Sequence, residues 1–481
     1  MNRKVFQEDT IAALITPPGE GGVAVIRLSG PDAFTITDQV FKTKARALCA
    51  SLESHTIHLG TIYRTETAEE GTPLAQTVKP PQEWVLDQAL LSIFRAPHSY
   101  TGENVTELSL HGGMALSAKV LELILSRGAR FAQPGEFTRR AFLNNKIDLT
   151  QAEAVQDLIK SKSDISIRTA IGQLQGGLSQ RFKALKENLM KLYAHMEAFL
   201  DFPEEDLEVY SDGEMLRGMS QAREVIQALI DSFKRGALLR EGAKLVIAGK
   251  PNVGKSSLFN ALLERDRALV SEYAGTTRDT LEEWLEVKGL AVRLSDTAGL
   301  MQNAAHPLDA MGVERTKKTL QEASAYLFVV DATRPLEPED QAAWLNLQNG
   351  RPIVGILHKA DLGVHIKKDE LAQFAPAFCW LEVSSKKRTG LEQVEEKIFE
   401  VLAGTHEDES GEQITRLRHK SALEAALAAL KRSEKAFHER ASLELVTLDL
   451  KIAIDSLREL IGEIYSEDLL DVIFSEFCIG K

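Results

Sequence analysis

One short stretch of sequence constrains the fold more than any other part of the chain. Residues 249–257 read Gly-Lys-Pro-Asn-Val-Gly-Lys-Ser-Ser and match the pattern G-x-x-x-x-G-K-[ST]. An apolar run precedes the match and a helix-like run follows it, which predicts a strand, a phosphate-binding loop and a helix in succession. The glycines let backbone amides turn toward phosphate oxygens, Lys255 supplies positive charge, and Ser256 can bind magnesium. A glycine-rich turn that binds nothing is the alternative.

The region around this loop, residues 241–404, alternates apolar runs with helical segments. Short, nearly continuous apolar runs between helices are typical of a parallel sheet that is covered on both faces. We therefore predict an inserted α/β domain here. Its predicted strands lie at 244–248, 291–295, 325–331, 352–357 and 378–384.

The segments on either side of the insert have a different character. In 146–240 and 405–481, Leu, Ile and Ala recur at helical spacing, which predicts amphipathic helices. Because the insert separates them, we expect one discontinuous all-α domain. Residues 1–145 mix short strands with helices, as at 10–30, 85–94, 105–110 and 113–127, and are expected to form an α+β domain.

Composition excludes several classes of protein. The chain has 481 residues and a net charge of −13, from 57 Lys and Arg against 70 Asp and Glu. Its overall charge is therefore not expected to attract nucleic acid, and any binding of RNA would need a local basic patch or a partner. Cys49, Cys379 and Cys478 are too few for a disulfide framework, and Cys49 and Cys379 are expected to be packing residues. Without an apolar run of membrane-spanning length or a signal peptide, the protein is expected to be soluble and cytoplasmic.

Two further motifs follow the phosphate loop in order. Residues 275–279 read Gly-Thr-Thr-Arg-Asp, and Thr277 is expected to close on magnesium when a γ-phosphate is present. Residues 296–299 read Asp-Thr-Ala-Gly at the end of a strand. Asp296 can hold a magnesium-bound water and the Gly299 amide can sense the γ-phosphate.

The last two motifs point to a guanine base. Residues 358–361 read His-Lys-Ala-Asp, and Asp361 can accept hydrogen bonds from guanine N1–H and its exocyclic amine. Adenine offers no such donor pair, so this carboxylate selects GTP. Residues 384–386, Ser-Ser-Lys, are expected to present backbone amides to guanine O6.

Together the five motifs resemble those of Ras-like P-loop GTPases of the translation-factor type. The fourth motif of that group reads Asn-Lys-x-Asp, whereas His358 stands at the Asn position here, so we expect reduced guanine affinity with selectivity retained. The residues predicted to bind GTP are Asn252, Val253, Gly254, Lys255, Ser256, Ser257, Ser271, Gly275, Thr276, Thr277, Asp296, Thr297, Ala298, Gly299, His358, Lys359, Asp361, Ser384, Ser385 and Lys386.

Leu300 occupies the position at which many such GTPases carry a glutamine that orients the attacking water. A leucine cannot orient water. Hydrolysis therefore needs another device, supplied by dimerisation, a cation or a partner. A slow switch is the alternative.

Motifs outside the insert resemble those of one family, the MnmE (TrmE) tRNA modification GTPases. The resemblance extends from about residue 9 to the last residue. It rests on Asp-Thr-Ile-Ala-Ala at 9–13, Pro-Pro-Gly-Glu-Gly-Gly at 17–22, Arg-Leu-Ser-Gly at 27–30, Tyr-Thr-Gly-Glu at 100–103, His-Gly-Gly at 111–113, Pro-Gly-Glu-Phe-Thr at 134–138, Ala-Phe-Leu-Asn at 141–144 and Phe-Cys-Ile-Gly-Lys at 477–481.

This resemblance implies a function that the motifs alone do not. It implies a GTPase stimulated by potassium that acts with a flavoprotein of the MnmG type. The pair would install a carboxymethylaminomethyl group at C5 of the wobble uridine of certain tRNAs. It also implies an N-terminal domain that binds 5-formyl-tetrahydrofolate, a homodimer, and a heterotetramer with the flavoprotein.

The resemblance also assigns roles to individual residues. It places folate contacts at Arg27, Glu107, Lys146 and Lys481, and potassium ligands at Asn252, Ser271, Tyr273 and Thr276. The magnesium ligands, Ser256 and Thr277, follow from the motifs themselves. The predicted catalytic residues are Lys255, from the phosphate loop, and Asp309 and Cys478, which the resemblance implies.

Three of these assignments have plainer alternatives. Arg27 and Glu107 can form a structural ion pair, Asp309 can be a helix N-cap, and Cys478 can be an inert thiol.

Two questions stay open at the level of the sequence. The basic stretch Arg416-Leu417-Arg418-His419-Lys420 is a candidate for contact with tRNA phosphates or merely a solvated helix face. The second functional hypothesis is a GTP-dependent switch in ribosome or RNA assembly, without a direct role in modification chemistry. Such a switch would usually carry a basic RNA-binding module, whereas the flanks here are acidic or neutral.

Overall fold

The computed structural model describes residues 9–66, 82–201, 211–266, 282–296, 320–375, 379–404 and 412–481. The chain divides into two compact units, Met1–Glu153 with Gly462–Lys481 and Ala154–Ile461. Among the described residues, no helix is both long and apolar enough to cross a membrane. The domain boundaries at 145, 240 and 404 stay a prediction.

The first unit is built on a seven-stranded sheet with the order β3-β4-β5-β6-β2-β1-β7. Neighbours pair antiparallel except β1 and β7, which run parallel. The strands are β1 (Ile11–Leu14), β2 (Gly21–Ser29), β3 (Phe41–Thr43), β4 (Thr56–Glu66), β5 (Gln82–Phe94), β6 (Val105–Gly112) and β7 (Arg130–Phe131). The strands predicted in 10–30 and at 85–94 and 105–110 are therefore confirmed. Residues 67–81 lie outside the described residues.

Helices cover one face of this sheet. The apolar sides of α1 (Ala33–Val40) and α2 (Met114–Ser126) bury residues such as Phe34 and Val120 against the strands. The helix predicted over 113–127 is thus confirmed as α2. On another side of β1, Phe137 of α3 (Glu136–Leu143) packs with Ile11 and Ala13.

The second unit contains a bundle of long helices. Leucine and isoleucine side chains at helical spacing form one buried cluster, as the periodicity predicts. The helices of this part are α4 (Leu149–Lys160), which crosses the unit boundary, α5 (Asp164–Leu174), α6 (Gly177–Asp201) and α7 (Asp212–Glu241), followed after the sheet by α12 (Leu417–His438) and α13 (Leu443–Ile461). The final helix, α14 (Glu467–Ser475), belongs to the first unit.

A six-stranded sheet with the order β13-β12-β11-β8-β10-β9 lies between α7 and α12 in the chain. Its strands are β8 (Ala243–Ala248), β9 (Glu282–Val287), β10 (Leu290–Asp296), β11 (Ala325–Asp331), β12 (Ile353–His358) and β13 (Trp380–Val383). Five strands are parallel, as predicted, and β9 pairs antiparallel with β10 at the edge. The sequence-based prediction missed β9, because its acidic residues interrupt the apolar pattern.

Helices cover both faces of this sheet, as expected for a mainly parallel sheet. One buried cluster includes residues of α8 (Lys255–Asp266) and α11 (Leu391–Ala403), and the other includes residues of α9 (Pro338–Leu345) and α10 (Lys368–Phe374). Parallel strands bring their carboxyl ends to one edge, where ligands bind in open α/β sheets. The predicted motifs follow β8, β10, β12 and β13 at this edge.

Candidate functional site

The phosphate loop connects β8 to α8 through three residues with left-handed backbone angles. Gly249 has φ 147°, Asn252 has φ 65° and Gly254 has φ 103°. A Cβ atom on Gly249 would lie 2.3 Å from the Val329 carbonyl oxygen, so a larger residue would push the loop off β11. The loop therefore turns tightly into the first turn of α8, whose free amide groups favour an anion.

Lys255, the first residue of α8, is held inside this loop. Its Nζ donates hydrogen bonds to the carbonyl oxygens of Gly249 and Lys250, both at 2.8 Å. Its burial lowers the pKa of the ammonium group, and the nearby Asp296 carboxylate opposes that shift. The ammonium group is thus positioned over the loop by neutral carbonyl groups, which phosphate oxygens can replace as acceptors.

Ser256 and Asp296 meet beside this lysine. The Ser256 hydroxyl donates a hydrogen bond to Asp296 Oδ2 at 2.9 Å. Asp296 is buried and is the last residue of β10. A hydroxyl and a carboxylate oxygen are hard ligands of the kind that Mg²⁺ prefers. The donor set therefore fits the magnesium ion that the phosphate-loop motif implies.

His358, the last residue of β12, lies between two loops. The side chain is buried, with its Nδ1 3.0 Å from the Val253 carbonyl oxygen and its Nε2 2.7 Å from Ser385 Oγ. Burial lowers the pKa of the imidazole, so it is neutral near pH 7. The histidine thus joins the phosphate loop to the segment Ser384–Lys386, here called the guanine loop.

Lys359 makes a second connection to the phosphate loop. The residue has a left-handed φ of 63°, and its Nζ donates to the Asn252 carbonyl oxygen at 3.1 Å and to Asp331 Oδ2 at 2.7 Å. Burial alone would raise the pKa of Asp331, but hydrogen bonds from Lys359 and Thr333 outweigh it and lower the pKa to about 2. The carboxylate therefore stays charged and anchors the lysine.

Asp361 is oriented by the guanine loop. Its Oδ1 accepts a hydrogen bond from the Ser384 hydroxyl at 2.7 Å. That bond lowers the pKa of the carboxyl, and the positive charges of Lys387 and Lys386 add to the effect. An ionised carboxylate with its other oxygen free of this bond can accept the two hydrogen bonds that guanine offers.

One buried contact of the phosphate loop was missed by the sequence reasoning. Lys250 Nζ pairs with Glu337 and Asp340, each at 2.7 Å, at the start of α9. These partners raise the pKa of Lys250 against the opposing effect of its burial. No local pattern signals the contact, because the two carboxylates lie 87 and 90 residues away in the chain.

Several predicted residues lie outside the described part of the chain, and their placement stays a prediction. They are Ser271, Tyr273, Gly275, Thr276, Thr277, Thr297, Ala298, Gly299, Leu300 and Asp309.

A second cluster lies in the first unit, around Arg27. Its Nε donates to Glu107 Oε1 at 2.8 Å, and its guanidinium lies 5.2 Å from the ring centre of Tyr100 and 5.4 Å from that of Phe137. The ion pair considered as the plainer alternative is therefore present. Cation–π contacts with the two rings hold the guanidinium group in addition.

The two other predicted folate residues form hydrogen bonds with the backbone of the first unit. Lys146 Nζ donates to the Pro97 carbonyl oxygen at 3.0 Å, and the amide of Phe137 donates to the carbonyl oxygen of Lys481 at 3.2 Å. The C-terminal residue therefore lies next to α3 within the first unit. Arg27 and Lys481 therefore both contact Phe137, and Glu107 pairs with Arg27.

The three cysteines differ in their surroundings. Cys49 is buried, as predicted for a packing residue, and burial raises the pKa of its thiol. Cys379 is exposed, so its prediction as a packing residue is wrong. Cys478 is exposed as well, and its carbonyl oxygen accepts from the amides of Gly135 and Lys481.

Two residues of the basic stretch at 416–420 are buried within the second unit. Arg416 is buried and pairs with Asp157 at 2.6 Å, while His419 is buried edge-on to the Phe182 ring. Arg418 donates to the Leu460 carbonyl oxygen at 3.3 Å. The interpretation of Arg416 and His419 as tRNA contacts is therefore wrong.

Comparisons with known proteins identify the family of the chain. The family model described as MnmE helical domain matches residues 149–478, and the one described as GTP-binding protein TrmE N-terminus matches residues 10–146. Proteins named tRNA modification GTPase MnmE are similar over nearly their full length. The relative from Thermoanaerobacter pseudethanolicus is 41% identical over 98% of this chain and 99% of its own.

Two other relatives with the same name are equally similar. The Moorella thermoacetica protein is 42% identical and the Aquifex aeolicus protein 40% identical, each over 98% of this chain and 100% of its own length. Because the match covers both ends of the chain as well as the phosphate loop, the chain belongs to the MnmE family of tRNA modification GTPases.

Proposed function

We propose that this chain hydrolyses GTP, with potassium as an activator, and acts with a flavoprotein of the MnmG type to install a carboxymethylaminomethyl group at C5 of the wobble uridine of certain tRNAs. Membership of the MnmE family supports a GTP hydrolase in tRNA modification. The observation that carries the proposal is the grouping of Lys255, Ser256 and Asp296 at the carboxyl edge of the parallel sheet. We also propose that the reaction takes place in the cytoplasm.

The described residues divide the work on the nucleotide. Lys255 exchanges its two carbonyl acceptors for phosphate oxygens, Ser256 would bind Mg²⁺, and Asp296 would hold a magnesium-bound water. Bound magnesium neutralises charge that develops on the β- and γ-phosphates. Asp361, kept ionised by Ser384, accepts from the guanine base and excludes adenine.

Potassium is proposed to take the place of the missing water-orienting glutamine. Of the proposed ligands, Asn252 is described, and it sits at the left-handed bend of the phosphate loop. A monovalent cation at this bend would lie beside the phosphates and stabilise their developing charge. Ser271, Tyr273 and Thr276 as further ligands, and Asp309 as the residue that orients water, rest on the family resemblance.

A comparison of cations tests this step. GTP turnover by the full chain is measured in potassium and in sodium at equal ionic strength, and potassium should give the faster rate. Equal rates would exclude the proposed activator while leaving GTP binding intact.

The Arg27 cluster is proposed to bind 5-formyl-tetrahydrofolate. A guanidinium and an ammonium group suit the carboxylate tail of a folate, and the Glu107 carboxylate suits the pterin N–H donors. The aromatic rings of Tyr100 and Phe137, which lie 5.2 and 5.4 Å from the Arg27 guanidinium, support a site for a ligand that carries both a ring system and a charge. Cys478, exposed near the end of the chain, is proposed to assist the modification chemistry.

Direct titration tests the folate proposal. Saturable binding of 5-formyl-tetrahydrofolate to the full chain is expected without any nucleotide present. Absence of binding would reduce the Arg27–Glu107 contact to a structural ion pair.

A homodimer is proposed to form through the first unit. The sheet face away from α1 and α2 exposes apolar side chains on paired strands, with Ile57 66% exposed, Leu59 42% and Leu90 43%. Contiguous exposed apolar residues are typical of an interface. The heterotetramer with the flavoprotein rests on the family resemblance.

Light scattering tests the dimer. Leu59→Glu with Leu90→Glu should give a monomer, whereas Leu48→Glu, at a residue that is 62% exposed, should leave the dimer intact. A dimer that survives the double change would contradict the proposed face.

Nucleoside analysis of tRNA tests the whole function. Cells without this protein should lack the modified wobble uridine, and a plasmid copy with Lys255→Ala should not restore it. Unchanged wobble nucleosides together with accumulating ribosomal RNA precursors would favour the assembly switch instead.

A further inference from the structure

His358 departs from the Asn-Lys-x-Asp motif of Ras-like P-loop GTPases, and the contacts around it show what the histidine does instead. The imidazole is 4% exposed and touches a different loop with each ring nitrogen. A Cβ atom on Gly254 would lie 2.2 Å from Nδ1, so the glycine of the phosphate loop also makes room for the ring. The side chain therefore has little freedom to turn toward another partner.

The hydrogen-bond partners determine which nitrogen carries the proton. The Val253 carbonyl oxygen can only accept, so Nδ1 of His358 must donate to it across 3.0 Å. In a neutral imidazole, Nε2 is then an acceptor, and the Ser385 hydroxyl must donate to it across 2.7 Å. Burial, aided by the charge of Lys359, favours the neutral form over the opposing effects of the Val253 carbonyl group, Asp331 and Asp361.

This arrangement uses the imidazole proton of His358 and the hydroxyl proton of Ser385. Guanine presents two acceptors, N7 and O6, along the edge away from its Watson–Crick donors. The His358 proton goes to Val253 and the Ser385 hydroxyl proton goes to His358. Neither side chain has a proton left for N7, whereas an asparagine amide carries two protons and can give one to the base.

We propose that His358 is a positioning residue, which ties the phosphate loop to the guanine loop at Ser385 and gives guanine no proton, so that neither His358 nor Ser385 recognises N7 of the base. Selectivity for guanine then falls on Asp361 and on the backbone amides of the guanine loop. This inference rests on the proposed binding of GTP at this site.

Replacement of N7 by carbon separates this inference from the function on which it rests. Dissociation constants of GTP and 7-deaza-GTP are measured with the full chain and Mg²⁺. They should agree within about threefold, less than the loss of a full net hydrogen bond. Binding of GTP with a loss of more than about threefold for 7-deaza-GTP would overturn the inference. Failure to bind GTP at all would instead contradict the proposed function.

His358→Asn sharpens the test. The amide should restore a donor for N7, so the variant should prefer GTP over 7-deaza-GTP by at least about threefold more than the original chain does. His365→Asn, at an exposed histidine of the same sheet domain, is the matched control and should not change the ratio. An unchanged ratio in a folded His358→Asn protein would overturn the inference.

The tautomer gives a readout that does not depend on binding. In ¹⁵N-histidine-labelled protein, the resonances that disappear in His358→Asn should be those of a neutral ring protonated at Nδ1. A ring protonated at Nε2 alone would overturn the inference, because Nδ1 would then face the Val253 carbonyl oxygen without a proton.

Discussion

Lys255 and Arg27 are both buried or nearly buried cations, but the two regions that hold them are built differently. Lys255 donates to carbonyl oxygens five and six residues away, while Arg27 pairs with a carboxylate 80 residues away. The hydrogen-bond acceptors of Lys255 are neutral carbonyl groups, which phosphate oxygens can replace, whereas Arg27 donates to a carboxylate. The difference teaches that carbonyl groups of a single loop can hold a cation where a ligand can replace them. A cation that pairs with a carboxylate of another strand first stabilises the fold.

Removal of the Lys255 ammonium group should have the largest effect. Lys255→Ala leaves the loop carbonyls without their donor and the phosphates without their cation, and should lower kcat/KM for GTP by at least about 100-fold. Steady-state phosphate release measures the change. Lys288→Ala, at an exposed lysine paired with Glu396, is the control and should turn over normally. Near-normal turnover by Lys255→Ala would mean that the phosphates bind elsewhere.

A change at the guanine end should have the next largest effect. Asp361→Asn replaces an acceptor by a donor opposite guanine N1–H, so the affinity for GTP should fall by about 10- to 100-fold while that for XTP rises. Competition binding measures both constants. Asp369→Asn, at an exposed carboxylate of α10, should leave the preference unchanged. If Asp361→Asn does not alter the preference, the base lies away from this carboxylate.

A smaller effect is expected at the Arg27 cluster, because Arg27 is already paired. Arg27→Ala should raise the dissociation constant for 5-formyl-tetrahydrofolate by about tenfold, as expected for the loss of a hydrogen bond to a charged group. It should leave GTP turnover without folate unchanged. Arg64→Ala, at an exposed arginine of β4, is the matched control for the titration. A lower free energy of unfolding with unchanged folate affinity would show that the pair is structural.

Local pattern explains why the nucleotide side was predictable. The G-x-x-x-x-G-K-[ST] match specifies a loop between a strand and a helix, and parallel strands carry Asp296, His358 and Ser384 to the same edge as that loop. The contacts Ser256–Asp296 and Asp361–Ser384 follow from this topology. The motifs at 296, 358 and 384 follow or end predicted strands, so their meeting at one edge could be predicted, whereas these two hydrogen bonds were not predicted.

Long-range pairing explains what the sequence could not show. Lys250 pairs with Asp340 and Arg416 with Asp157 across 90 and 259 residues, and neither pair carries a motif. Arg416 looked like a surface cation because charge runs are usually solvated. The edge strand β9 was missed for a related reason, since Leu285 and Val287 are buried between exposed or half-exposed acidic and aromatic residues.

The central claim is that the glycine-bent loop before α8 binds GTP and that the guanine loop selects it. Equilibrium titration of the full chain with GTP and with ATP, each with Mg²⁺, tests this claim most directly. Saturable binding of GTP at one site per chain, with ATP at least about tenfold weaker, is the predicted result. No saturable binding of GTP, or equal binding of ATP, would contradict it.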